Sequence, residues 1–534
     1  VKKIFIVLLI VSPFAQASDP YPKNPAINVL QYIFQLEVND STDIVSGNAS
    51  ITIQFKKSIT GFELDLISKD ASGMGMEVKD VSSKGKRLSF LHKNNRLKIM
   101  LPGQVNNGDT LTFQIAYRGI PQDGLFIGKN KYGDRCFFGD NWPDRGHHWL
   151  PVVDHPSDKS AVDFIIIAPL HYSVVANGVK LEESPLDSNR KLTHWHEEIP
   201  IPTKVMVVGI ARFAVQYTGK VNDIPIESWV YPQNRLEGFH DYAVAVKVLD
   251  YFNKNIGPYP YKKLANVQSK TRWGGLENAN AIFYSENSVT GKGERELLIA
   301  HEAAHQWFGN SATENDWHHV WLSEGFATYF ANLYMENSYG RDRLVEEQKK
   351  DRKEVIDYFL KNPKPVVDTT ISDINKVLST NTYQKGGWVL HMLRHELGDP
   401  IFWKGIRQYY SIFRDSNALT VDFQKIMEEV SGKNLDVFFK QWLYQAGHPK
   451  ISGKWHFDKQ ARSVVIELTQ TQNEGYFQFP LDIGWAGKEG KTEIITLQVT
   501  ARSQKFTILV EAMPNNLVLD PGTWLLFEGS ISQK

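Results

Sequence analysis

His301 and His305 stand four residues apart in HEAAH with Glu302 between them, and Glu324 follows His305 after eighteen intervening residues. On a helix, positions four apart lie one turn above each other on the same face. Two neutral imidazoles so placed can grip one metal ion. Glu302 falls beside them, close enough to act as a carboxylate base toward a metal-activated water. Glu324 completes a His, His, Glu ligand set and leaves a fourth position open, as a hydrolytic zinc site requires. HExxH alone is a short pattern, and the glutamate at a fixed later offset makes it far more specific. The bland alternative is a helix with two surface histidines and an unrelated glutamate. The context argues against it: Leu297, Leu298, Ile299 and Ala300 lead in, and Ala303, Ala304, Trp307 and Phe308 surround the box. Polar groups buried in so apolar a helix need partners, and one zinc ion satisfies all three. Gly309-Asn310 reads as the C-terminal stop.

The segments that must hold this helix change character along the chain. From Ala26 to about Ala214, apolar and polar residues alternate, as in Tyr32, Phe34, Leu36 and Val38 or Ile51, Ile53 and Phe55. Period two predicts half-buried antiparallel strands. From about Asn234 the spacing turns helical. Helices are expected at 236–257, through the histidine box, at 321–340, 341–361, 384–397, 401–413, 421–431 and 434–445, with Thr420 as an N-cap. After His448-Pro449 the text returns to strands at 464–472, 477–487, 492–501 and 505–512. The expected fold class is therefore α+β and multidomain: an N-terminal antiparallel β domain (18–214), a central mostly helical domain (215–447) and a small C-terminal β-sandwich-like domain (448–534).

Composition narrows the partners. Lys plus Arg and Asp plus Glu are 60 each in 534 residues, so no basic surplus points to nucleic acid. The first residues read as a targeting segment. Lys2 and Lys3 precede an apolar run, Ile4–Val11, too short to span a bilayer, and Ala15-Gln16-Ala17 offers a small-x-small cleavage site. Removal of 1–17 and export to a bacterial periplasm or exterior are expected, with no stable membrane anchor afterwards. Cys136 is the single cysteine, which rules out an intramolecular disulfide and reads as a small buried residue.

Two further patterns are weak alone. Gly274-Gly275-Leu276-Glu277-Asn278 lies upstream of the box, and Tyr383-Gln384-Lys385-Gly386 lies downstream. With the histidine box, in this order, they resemble the M1 family of zinc aminopeptidases, the group of aminopeptidase N and leukotriene A4 hydrolase. HQWFGN after the box, WLSEGFA around Glu324, LDVFFKQWLYQAGHP, and Asp154-His155-Pro156 with Lys159 extend the likeness over roughly 25–470. The resemblance implies a thermolysin-like metallopeptidase domain, one zinc ion per chain, and peptide substrates with a free N-terminus. It is that of a short form without the large C-terminal helical domain. By the same resemblance, Glu277 binds the substrate α-amine, Tyr383 stabilises the tetrahedral oxyanion, and Gly274, Gly275, Leu276 and Asn278 line the substrate. Asp140 or Asn141 is the candidate for a second amine-binding group. Three departures stand out. Leu276 occupies a usual Met position, Ser323 replaces a frequent Asn, and His318 stands where an acid that could orient a zinc histidine is common. A zinc endopeptidase, or an inactive member that only binds peptides, remains the alternative.

Overall fold

The alternating text of the N-terminal third builds three sheets in this computed structural model, which describes residues 19–473, 475–487 and 492–534. The expected leader at 1–17 lies outside the described residues. Ile27–Glu37 runs through the middle of an eight-stranded sheet, with Tyr32, Phe34 and Leu36 buried and Gln35 exposed between them. It pairs antiparallel with Val45–Phe55 but parallel with Lys159–Pro169. That parallel pair departs from the all-antiparallel expectation. The long excursion between the two strands through the smaller sheets supplies the crossover a parallel pair needs.

The central region holds nine α-helices among the described residues: α1 (Arg235–Tyr242), α2 (Ala245–Asn255), α3 (Glu296–Ala304), α4 (Trp321–Tyr339), α5 (Arg341–Phe359), α6 (Gly386–Leu397), α7 (Asp399–Phe413), α8 (Thr420–Ser431) and α9 (Asp436–Phe439). The single helix expected over 236–257 is broken between α1 and α2. Thr420 is the first residue of α8 rather than its cap. Its hydroxyl takes the indole N–H of Trp321 at 2.8 Å, while Asp422 accepts the Leu419 N–H at 2.8 Å. The histidine-box helix ends at Ala304, four residues earlier than read. There the chain turns back through Gly309, whose φ of 113° and 2.1 Å approach of an ideal Cβ to Ser323 Oγ admit no side chain.

Periodicity missed a five-stranded sheet beside these helices. Its inner strand Leu264–Ser269 is buried at every position, so no alternation marks it. Its outermost member, Gly275–Leu276, pairs with Ala281–Ser285. The C-terminal strands form a four-stranded and a three-stranded sheet that feed one core. They grip the central helices: Arg352 of α5 donates to Asp520 Oδ2 and Leu525 O at 2.7 Å each, and His391 of α6 lies 2.8 Å from Thr523 O.

The N-terminal sheets clamp the loop that joins the two ligand-bearing helices, α3 and α4. Lys159 Nζ donates to Asn310 O at 3.1 Å and Ser311 O at 2.6 Å. Lys23 Nζ reaches Asn315 O at 3.1 Å, and Asp19 accepts the Trp317 N–H at 2.9 Å. Lys204 pairs with Glu314, both buried, and the second oxygen of Glu314 has no hydrogen-bond partner among the described residues. Breaking one half of such a pair strands a charge. Lys204→Met is expected to lower unfolding free energy by about 3–5 kcal/mol in urea titrations, and Lys204→Met with Glu314→Leu to recover most of it. Equal stabilities for wild type and the single variant would refute the clamp.

Candidate active site

His301 of α3 and His305, the residue that caps its C-terminal end with helical backbone angles, face the same way, and the first turn of α4 brings Glu324 against them. The Nε2 atoms of the two histidines lie 3.1 Å apart, and Glu324 Oε2 is 3.5 Å from His301 Nε2 and 3.2 Å from His305 Nε2. Ligands held at about 2.0–2.1 Å around a tetrahedral zinc ion stand about 3.3–3.4 Å apart. Three donors of the right type form one face of that tetrahedron, so the residues fit the ion. His305 Nδ1 lies 3.2 Å from Phe308 O, which can only accept. Nδ1 therefore carries a proton, and Nε2 faces the metal position. Burial opposes charge on His305, but Glu324 and Glu277 outweigh it and lift the imidazole to about 9. Burial likewise opposes charge on Glu324, and the two histidines still hold its carboxyl below the ordinary range. Metal binding here displaces a proton.

Ser323 matters more than the sequence suggested. Its hydroxyl lies 3.1 Å from His305 Nδ1, so it fixes the ring that the metal uses. Ser323→Ala is expected to weaken zinc affinity about tenfold to a hundredfold in competition with a chelator; unchanged affinity would show the contact to be idle. His318 does not join this support. Its Nε2 faces Ile371 O at 3.0 Å, its Nδ1 faces Asp316 at 3.3 Å, and it lines a neighbouring cavity.

A cavity of about 410 Å³ opens over the metal position, lined by His301, Glu302, Glu324, Tyr383 and the strip Gly274–Glu277. Glu302 is buried, and its carboxyl is pushed well above the usual range by that burial, with Glu277 and Glu324 adding to the effect. Gly275 packs directly on it: an ideal Cβ would stand 2.1 Å from Glu302 Oε1, so no larger residue fits. Gly274 meets no such neighbour. Glu277 is 5% exposed, and its Oε1 is buried without a partner among the described residues. A Glu277 oxygen, a Glu302 oxygen and a His305 nitrogen lie within 4.8 Å of one another.

That second cluster could itself hold a cation, but it lacks the matched spacing of the first.

Tyr383 sits in a single π-helical turn, Asn381–Lys385, at the head of α6, a local widening common at functional sites. Its ring stacks on His301 with centroids 5.9 Å apart. Burial, then Glu324 and Glu277, drive its phenol well above 10, so it stays a proton donor. Two glycines set its distance. An ideal Cβ on Gly325 of α4 would meet the Gly386 backbone at 2.9 Å, so α4 and α6 touch main chain to main chain beside the site.

The sequence candidates divide. Gly274, Gly275, Leu276, Glu277, Tyr383, Glu302 and two of the three ligands, His301 and Glu324, line the cavity; His305 lies behind them, and Asn278, Asp140 and Asn141 do not line it. Asn278 is fully buried behind the strip. Asn141 spends its amide on the fold, donating to Thr203 O at 3.1 Å and Met206 O at 2.8 Å and accepting from Trp149 at 2.8 Å. Asp140 pairs with Arg145 and lies 3.5 Å from Arg272 on a separate cavity. Neither side chain lines the cavity over the metal position, whereas the neighbouring Trp142 does. Gln306 and Asn310 had escaped notice. Gln306 donates to Glu277 O at 3.0 Å and accepts the Asn280 N–H at 2.7 Å, while Asn310 donates to Glu277 O at 2.6 Å. The turn after the histidine box thus holds Glu277 in place.

The domain described as "Peptidase family M1 domain" matches residues 240–442, and "Peptidase M1 N-terminal domain" matches residues 28–205. The chain is 27% identical over 370 residues to glutamyl aminopeptidase of Mus musculus, covering 66% of this chain and 39% of that protein. It is 25% identical over 459 residues to probable aminopeptidase 1 of Sulfurisphaera tokodaii, covering 80% and 54%. The chain spans about half the length of the curated relatives it matches, or less. In fold it is similar to a crystal structure of an M1 zinc metallopeptidase mutant from Deinococcus radiodurans, with a TM-score of 0.67 at 21% identity, over 80% of this chain and 96% of that one.

Proposed function

The chain belongs to peptidase family M1, and from that premise we propose that it is a zinc-dependent aminopeptidase that removes the N-terminal residue of peptides. His301, His305 and Glu324 hold one zinc ion. When bound, zinc supplies a Lewis acid that makes water acidic near neutral pH and polarises a carbonyl. Glu302 takes the proton of the attacking water and delivers it to the leaving amine. Tyr383 donates its phenolic hydrogen as the oxyanion develops, a contact that strengthens in the transition state. Glu277 accepts from the substrate's α-ammonium and thereby fixes which peptide bond lies against Glu302.

The observation that carries this reading is the orphaned oxygen of Glu277. A buried carboxylate oxygen without a donor is costly, and it lies in the same cavity as the base. A substrate ammonium relieves it, whereas an endopeptidase has no use for it. Leucyl p-nitroanilide and its N-acetyl derivative test the reading: the free amine is turned over and the blocked one is not. Equal rates would make the protein an endopeptidase, and no hydrolysis of either would favour a peptide-binding role. Tyr383→Phe is expected to lower kcat about a hundredfold with little change in KM; an effect on KM alone would reassign the phenol to ground-state binding. Export rests on the basic, apolar and Ala-x-Ala pattern of residues 1–17. Among the described residues no helix is long and apolar enough to cross a membrane.

A further inference from the structure

The cavity does not stop at the metal position but continues onto α5. Glu347, Asp351 and Glu354 all line it, at i, i+4 and i+7, and so share one helix face. The same cavity is lined by four leucines, Leu276, Leu297, Leu298 and Leu378, together with Thr328, Asn332 and Gln384. The acids are incompletely neutralised. Glu347 is paired with Arg343 at 2.5 Å. Lys350 lies on the same wall, exposed. Among the described residues no lysine or arginine nitrogen comes within 4.0 Å of Asp351 or Glu354. On this wall two cations, Arg343 and Lys350, stand against three acids.

Asp351 is the member that meets the cavity from a buried position. It is 9% exposed, and its one hydrogen bond comes from Asn332 Nδ2 at 3.2 Å. Burial, with Glu354 and Glu347 behind it, pushes its carboxyl up to about 7. A buried acid that lacks a cation, in a cavity also lined by four leucines, is matched by a side chain with an aliphatic stem and a cationic tip, whose charge favours the ionised carboxylate.

We propose that the α5 wall makes this site selective for peptides whose first residue is lysine or arginine, the stem lying against leucines of the cavity and the cation meeting Asp351 and Glu354. The proposal rests on the aminopeptidase reading and names its substrate class.

The test is a panel of Lys, Arg, Leu, Ala and Glu p-nitroanilides, run on wild type, Asp351→Asn, Glu354→Gln and Glu354→Lys, with circular dichroism on each. In wild type, kcat/KM for Lys and Arg is expected to exceed that for Leu about tenfold, mainly through KM. Each neutral variant lowers the Lys-to-Leu ratio, and Glu354→Lys lowers it further while raising the relative rate on Glu. A wild type that favours Leu or Glu, or a ratio unmoved in folded variants, overturns the proposal and leaves the aminopeptidase reading standing. If no substrate of the panel is hydrolysed, that reading falls and this proposal with it. Should Asp351→Asn unfold, the exposed Glu354 variants still decide. Comparing Lys-Leu with Leu-Lys dipeptide amides locates the charge: faster release from Leu-Lys overturns the assignment to the first residue.

Discussion

Glu302→Gln is expected to lower kcat on a free-amine substrate by about a thousandfold or more while zinc content and fold stay as in wild type. The substitution keeps the shape of the side chain, and shape is constrained here because Gly275 leaves no spare room against the Glu302 carboxylate. What it removes is the ability to accept a proton. Burial lifts this carboxyl above its ordinary range, which makes its carboxylate a stronger proton acceptor. An amide does neither. The three ligand atoms belong to His301, His305 and Glu324, so zinc measured by emission spectrometry remains near one per chain. KM changes little, since the loss falls on a transition-state contact. Activity within tenfold of wild type would sink the assignment of Glu302 as base. Loss of zinc together with activity would make it a ligand.

The ligand triad was legible in the sequence because a helix turns spacing into geometry. Four residues apart means one face, and the end of α3 at Ala304 did not disturb that, because His305 keeps helical backbone angles as its C-cap. Glu277 and Tyr383 were legible only through resemblance, since a two-residue edge strand and a π turn carry no period to read. Asp140 and Asn141 fall outside the cavity lining for a related reason. They follow a strand that ends near the site, yet a side chain one position further on, Trp142, is the one that reaches the cavity. Ser323, Gln306 and Asn310 act through contacts between residues distant in sequence, such as Asn310 to Glu277 O, and no local pattern announces those. The five-stranded sheet went unread because a strand buried on both faces looks like any apolar run. The α5 acids did have a signal, the i, i+4, i+7 spacing, but on an otherwise charged helix it reads as a solvated face until the cavity is seen.

Glu277→Gln separates the two clusters that share His305. If Glu277 pairs with the substrate ammonium, removing its charge costs about 2–5 kcal/mol, as for a desolvated ion pair, or roughly thirtyfold to several thousandfold in kcat/KM on leucyl p-nitroanilide. The N-acetyl derivative has no ammonium to lose, so its slow rate stays where it was, and the preference for a free amine collapses. The backbone grip of Gln306 and Asn310 on Glu277 O survives the change, because it uses the main chain. If Glu277 instead served as a metal ligand with Glu302 and His305, whose donor atoms also lie within 4.8 Å of one another, the variant would lose zinc. It would then fail equally on free and blocked substrates. Titrating zinc into the metal-free variant and measuring both rates decides between them. Retained zinc with a selective loss on the free amine is the expected outcome. It follows from Oε1 of Glu277 being buried without a donor, while the tetrahedral spacing belongs to His301, His305 and Glu324.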